Sequence, residues 1–251
     1  MFALPQHYLY LFFYMETSIT PTLYIDSANN SVHNEPSVRL ENSKESSSVT
    51  NIVVSRYNKN VDFVYRINNN QNINVMVYDK ENPSNPYNVP VNKGNEASVY
   101  LKYIIDYYDV LPEFTFFIHD DEYAWHHSGS IVDKYQEAVN SKQTYYNIND
   151  RCNWNTPNLI VEQCYTQLLA WYKDYIDDYI PLSKVPNNHD FIYGYLGAAQ
   201  FLVHRDRIRK LPKAFYERIY NWIMTTSLSS KMTGFYLEWT WHVFWMIYPT
   251  I

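Results

Sequence analysis

The chain has 251 residues, enough to bury a substantial core as one large domain or two small ones. Its 26 acidic residues outnumber 20 Lys and Arg, giving a net charge of −6. No basic block of the kind that tracks a phosphate backbone is present, which argues against a nucleic-acid partner.

Tyr8 to Met15 is apolar but has no positive region before it and only about half the length that spans a bilayer, so it reads as a buried strand. Asp26 to Thr50 is rich in Ser, Asn and Glu and reads as a loop or linker. We therefore expect an apolar segment with a polar linker over residues 1–50, then a single domain over residues 51–251.

Asn51 to Ser55 predicts a strand that breaks at Arg56-Tyr57-Asn58-Lys59-Asn60, and Val61 to Tyr65 has helical spacing. Ile73, Val75, Val77 and Tyr78 predict a second strand, ending at Asp79-Lys80. Lys93-Gly94-Asn95 is a turn, and Val99, Leu101, Ile104, Ile105 and Tyr108 give a helix from Glu96 to Tyr108 one buried face. After Pro112, Phe114 to Ile118 is an aromatic and β-branched run of strand length. The order βαβαβ predicts a mostly parallel sheet covered by helices, an α/β fold.

Beyond Ser130 the pattern turns helical. Helices are expected over Ile131 to Asn140, within Leu159 to Tyr179, and over Arg205 to Arg209 and Lys213 to Met224. An aromatic helix from Leu237 to Trp245 closes the chain. Thr144 to Asn158 reads as an irregular connection, and the second half of Tyr193 to Val203 as a strand. Cys152 and Cys164 lack zinc-site spacing and read as free thiols of a reducing compartment. The aromatic content of 18 %, with 26 Tyr and 7 Trp, supplies rings that stack on sugars and bases, though an AT-rich genome writes the same composition.

The third strand ends in His119-Asp120-Asp121-Glu122, where open α/β sheets place their ligands, in the crevice beyond the strand ends. Asp120, Asp121 and Glu122 are candidate ligands for Mg²⁺ or Mn²⁺, which would neutralise a diphosphate leaving group; the same run also suits a solvated loop. Lys93, Gly94 and Glu96 open a helix whose free N–H groups could receive a phosphate, or are an ordinary helix start. Arg56 and Asn58 follow the first strand, where α/β proteins hold a base and ribose. Trp125 and His126 follow the acids, with roles in ligand contact or in packing. A base for an acceptor hydroxyl would be Asp190 or Glu238. Glu238 lies in an apolar helix and must be paired or line a cavity, and His242 one turn later is its candidate partner. His119, Asp121, His126 and His127 would instead suit a zinc or iron hydrolase.

IVVSRYNKNVDFVY, VPVNKGNEASVYLKYIIDYYDVLPEFTFFIHDDEYAWHH, GAAQFLVHRDRIRKLPKAFYERIYNWI and LEWTWHVFW, in this order, resemble a domain-of-unknown-function family of fungi and large DNA viruses. The resemblance spans about residues 51 to 247 and is carried by Arg56, Tyr57, Gly94, Glu96, Trp125, His126, Gln200, Phe201, Arg207, Ile208, Glu238, Trp241 and His242. The opening strand, the glycine-plus-Glu helix start and the acidic strand end are in turn similar to GT-A glycosyltransferases of the capsule-polysaccharide type. That likeness implies a Rossmann-like GT-A fold and transfer of a sugar from a nucleotide-sugar to a glycan or protein acceptor. It further implies Mn²⁺ or Mg²⁺ as cofactor. With Tyr8 to Met15 too short for a bilayer and no other candidate segment in the sequence, we expect no membrane span and a cytoplasmic location, in the host cytoplasm for a viral protein. The alternative on the same scaffold is a non-catalytic glycan- or protein-binding domain.

Overall fold

In a computed structural model of the chain, β1 (Thr50–Arg56), β2 (Ile73–Asp79) and β3 (Phe114–His119) pair in parallel with β1 in the middle. The structure describes residues 49–67, 72–151, 162–185 and 196–248, all within one unit from Ser43 to Ile251. The expected strand at Tyr8 to Met15 lies outside the described residues.

Helix α1 (Val64–Ile67) links β1 to β2, and α2 (Ala97–Tyr107) links β2 to β3, which is the βαβαβ order read from the sequence. On the far side of β3 the sheet continues with β5 (Phe201–His204) and then β4 (Tyr145–Asn147), in the order β2-β1-β3-β5-β4. Strand β5 runs antiparallel to both its neighbours, so four strands point one way and one against them. The mostly parallel sheet is as expected. Strand β4 corrects the reading of its stretch as irregular: Tyr-Tyr-Asn is too short to show a period, and it is extended because β5 offers a partner.

β1 is buried along almost its whole length, as befits a parallel strand covered on both faces. Alternate residues point to opposite sides. Val53 and Phe117 face one core with α2, α6 (Lys213–Thr225) and α7 (Ser230–Phe244), while Ile52, Val54, Phe116 and Ile118 face another with α1 and α3 (Ile131–Asn140). Helix α4 (Glu162–Tyr175) adds Leu168, Trp171 and Tyr172 to the first core, and the short α5 (Arg205–Ile208) adds Ile208.

The first core absorbs most of the aromatic surplus. Tyr100 packs against Phe117 at 4.7 Å between ring centres, and Trp241 lies parallel to Trp245 at 5.9 Å. Full burial of one such ring removes enough apolar area to contribute roughly 4–6 kcal/mol of transfer free energy. Among the described tryptophans, Trp125 alone is exposed, so ring content is chiefly packing and Trp125 is the exception.

Two junctions position the site. Gly94 and Asn95 both have positive φ, turning the chain into α2, and a Cβ on Gly94 would stand 2.6 Å from Ile223 of α6. Helix α7 starts at Ser230, capped by the Ser229 hydroxyl, well before the expected Leu237. Its polar first turns and Gly234 concealed that start. A Cβ on Gly234 would meet the Asn95 side chain at 2.7 Å, so glycine lets α7 approach the mouth of α2.

Candidate functional site

Register levels the carboxyl ends of the three parallel strands, with Arg56 opposite Asp79 and Ser55 opposite His119. The loop after β1 folds over the acidic corner after β3. Tyr57 N–H donates to Asp120 Oδ2 at 2.6 Å, the Lys59 ammonium lies 2.8 Å from Asp121 Oδ2, and Arg66 of α1 pairs with Glu122 Oε2. Asp121 Oδ1 also accepts from Tyr123 N, and Glu122 Oε1 from the Ser130 hydroxyl that caps α3. The Lys59 hydrogen bond holds the Asp121 carboxyl below its ordinary range. Arg56 pairs with Asp79 at 2.5 Å, and the N–H of Asn58, at φ +62°, donates to Glu81 Oε2 at 2.9 Å.

The three acids therefore have separate partners. Asp121 and Glu122 each have both carboxylate oxygens engaged, and Asp120 has one. No group of three or more His, Cys, Asp or Glu among the described residues is arranged to hold a metal ion. As they stand, these side chains fit ion pairs and turn-closing bonds rather than a divalent cation.

Beneath the corner lies a second layer. Glu96, at the N-cap of α2, and Glu238, within α7, are 7 % and 6 % exposed. Glu96 Oε2 is 3.7 Å from His119 Nε2. Burial pushes the Glu96 carboxyl up to about 7, with Lys80 pulling the other way. Glu238 is raised well above its ordinary range by burial and then by the charge of Glu96. Burial likewise keeps His119 and His126 uncharged, His126 down to about 4. Lys80, held below the usual lysine range by burial against the charges of Glu96 and Asp120, donates to Asn95 O at 2.9 Å. Gln200 Oε1 accepts from His119 N at 3.1 Å. The rings of His126 and His119 meet edge to face at 5.0 Å, and exposed Trp125 stacks on His126 at 4.1 Å.

Of the residues singled out in the sequence, Glu96 and His126 thus meet His119, Trp125 stacks on His126, and Glu238 neighbours Glu96, with Arg56, Asn58, Asp120, Asp121 and Glu122 on the rim above. His242 is fully buried one turn beyond Glu238 on α7. Lys93 is turned elsewhere: its ammonium donates to Thr226 O at the end of α6, and Gly94 packs on Ile223. Asp190 lies outside the described residues. Sequence reading did not select Lys80, Tyr100 or Gln200 for the site. The available signals were weak, a lysine just past a strand, a tyrosine one turn after Glu96, and a glutamine before a strand.

A pocket of about 440 Å³ opens at the other end of the strands, between Thr50, Ile73, Phe114, Tyr135 and Leu202. It includes Glu113 and Lys142 but none of the groups just described. The chemistry at the carboxyl end is different in kind. Two buried carboxyl groups, one of them poised near neutral pH beside an uncharged imidazole, can hold or release a proton.

These features define an α/β protein with a mixed five-stranded sheet and a buried carboxyl–imidazole cluster beyond its parallel strand ends. Residues 52–250 match the family model described as Protein of unknown function (DUF3431), and the chain belongs to that family. No curated protein and no solved structure matches the chain. Among the described residues, no helix is long and apolar enough to cross a membrane.

Proposed function

We propose that this protein is a glycosyltransferase that moves a sugar from a nucleotide-sugar donor to a hydroxyl of a glycan or protein acceptor. The observation that carries the reading is the Glu96–Glu238 pair, buried at the carboxyl end of the parallel strands with both carboxyls raised. Ligands of open α/β sheets bind at that end. A carboxylate of the pair takes the proton of the acceptor hydroxyl as its oxygen bonds to the anomeric carbon. The bond from that carbon to the diphosphate breaks, and its electron pair leaves with the phosphate oxygen. Lys80 is a nearby cation, while Arg56 and Lys59 are held in ion pairs with Asp79 and Asp121, and the exposed rings of Tyr57 and Trp125 offer faces to a base or sugar. The glycine-plus-Glu start of α2 and the acidic end of β3 are the features that resemble GT-A glycosyltransferases. A divalent cation would have Asp120, Asp121 and Glu122 as its ligands, but their present bonds do not suit one, and no step is routed through it.

The test is release of nucleoside diphosphate from a panel of UDP-, GDP-, ADP- and CMP-linked sugars, with CMP scored for the last, by the full chain with and without Mn²⁺ or Mg²⁺. Turnover lost at least a hundredfold in Glu96→Gln, the carboxyl of the pair that ionises near neutral pH, supports transfer. Absence of release from every donor, with and without metal, defeats it. Oligosaccharide binding without release would favour a non-catalytic glycan-binding domain, to which the exposed Tyr57, Tyr123 and Trp125 would also be suited.

A further inference from the structure

We propose that the open edge of β2 pairs antiparallel with β2 of a second copy of this chain, joining two sheets into one across a two-fold axis at Val75. The inference is independent of the transferase reading.

Strand β2 ends the order β2-β1-β3-β5-β4, so one side of it faces β1 and the other faces none of the described strands. The register with β1, together with Thr50 N–H donating to Asn72 O at 2.8 Å, fixes which groups point where. Residues of a parallel strand alternate in the side to which they bond, so Asn74, Met76 and Tyr78 turn their N–H and C=O groups to β1. Ile73, Val75 and Val77 turn theirs outward. Asp79 N–H also points outward, and Tyr87 O accepts it at 3.0 Å, which closes the edge beyond Val77. Among the described residues nothing bonds the outward groups of Ile73, Val75 and Val77.

Native sheets protect their edges with short strands, charged residues or proline. The opposite edge, β4, is three residues long and so protects itself. Strand β2 is seven residues long and holds no Lys, Arg or Pro. Its Val75 and Val77 are only partly buried against the second core. Such an edge is a template for another strand, because unpaired main-chain groups gain partners when one is added.

The sequence of the open stretch selects a second copy as that strand. With the axis at Val75, Ile73 faces the partner's Val77, Asn74 faces the partner's Met76, and Val75 faces the partner's Val75. The outward residues then fall in hydrogen-bonded pairs, each exchanging two bonds, about six in all. β-branched pairs are favourable across strands, and like charges directly opposite are not. Ile73 to Val77 contains no charged residue, so two chains of net charge −6 bring no like charges together at this contact. The pairing consumes the open edge of both copies and leaves only β4 at each end, so assembly closes at a dimer. Antiparallel strands also send the two carboxyl-end clusters to opposite ends of the joined sheet. An edge this short is small beside the roughly 1,200 Å² of a standard interface, which puts dissociation at about micromolar concentration.

Sedimentation of the full chain across the micromolar range tests this, and the mean mass should rise from monomer to dimer with concentration. Val75→Lys and Val75→Glu each set like charges against each other at the axis and should weaken the dimer about tenfold or more. An equimolar mixture of the two variants should dimerise again, because opposite charges then meet. A misfolded variant would not be restored by its counterpart, so the mixture separates loss of pairing from loss of fold. The amides of Ile73, Val75 and Val77 should also exchange more slowly as concentration rises. A monomer at every concentration, a dimer indifferent to both variants, or a mixture that stays monomeric overturns the proposal. Slow exchange of these amides that does not depend on concentration would mean that the chain covers its own edge, and overturns it too.

Discussion

Glu96 Oε2 stands 3.7 Å from His119 Nε2, bringing the N-cap of α2 against the last residue of β3. A helix start and a neighbouring imidazole would ordinarily favour a carboxylate. Burial outweighs both here, raising Glu96 to about 7 and keeping His119 neutral. The contact is therefore a meeting of two groups that have each been denied their usual charge, and its state changes with pH.

That change has a defined sign. Unfolded, Glu96 loses its proton near 4.5; folded, it keeps it to about 7. Between those values the native state binds more protons, so stability from this group is full below 4.5 and is lost as pH rises through 7. His119 and His126, both lowered, act oppositely, losing stability as pH falls below 6.5. The readout is therefore a difference. Glu96→Gln should gain on the wild type by up to about 3 kcal/mol from pH 4.5 to 7, measured by urea unfolding at several pH values. A pH-independent difference would show that Glu96 titrates normally.

The rim should bind without stabilising the fold. Tyr57 and Trp125 are more than half exposed, so Tyr57→Ala and Trp125→Ala should shift Tm little. Stacking of a base or sugar ring is of the order of 1–3 kcal/mol, and each variant should weaken nucleotide-sugar binding about tenfold or more by calorimetry. Unchanged affinity in both would remove the rings from the site.

Gly94 is a structural requirement. Its φ of +76° disfavours any side chain, and a methyl there would meet Ile223 at 2.6 Å. Gly94→Ala should cost about 2–4 kcal/mol in chemical unfolding, combining the left-handed backbone with the clash against α6. A loss under about 0.5 kcal/mol would mean that the turn relaxes freely.

Asn51 ties β1 to its covering helix. Its side-chain amide donates to Tyr103 OH at 2.9 Å, and that hydroxyl lies 3.3 Å from Thr115 Oγ1 on β3. Asn51→Ala leaves the Tyr103 hydroxyl short of a partner and should destabilise by about 1–3 kcal/mol. Tyr103→Phe in the Asn51→Ala background should then add little, which a double-mutant cycle measures.

Local order was legible in the chain because period and punctuation are local properties. The β1–α1–β2–α2–β3 succession, the span of α3 and the acidic end at His119-Asp120-Asp121-Glu122 follow from apolar spacing, Pro112 and the glycine turn. The position of the acidic corner at the carboxyl end of β3 was legible too, since strand ends of parallel sheets are predictable from strand order. What only the tertiary structure decided was direction, pairing and burial. Strand β5 runs backwards beside β3, and three residues become β4 only because β5 is there. Asp120, Asp121 and Glu122, adjacent in sequence as a metal ligand set would be, are drawn to Tyr57, Lys59 and Arg66, which lie more than fifty residues earlier. Glu96 and Glu238, far apart in the chain, become neighbours whose charges oppose each other because α2 and α7 pack on the same face of the sheet. Charge state depends on solvent exclusion and on neighbours in space, and neither is written in local sequence.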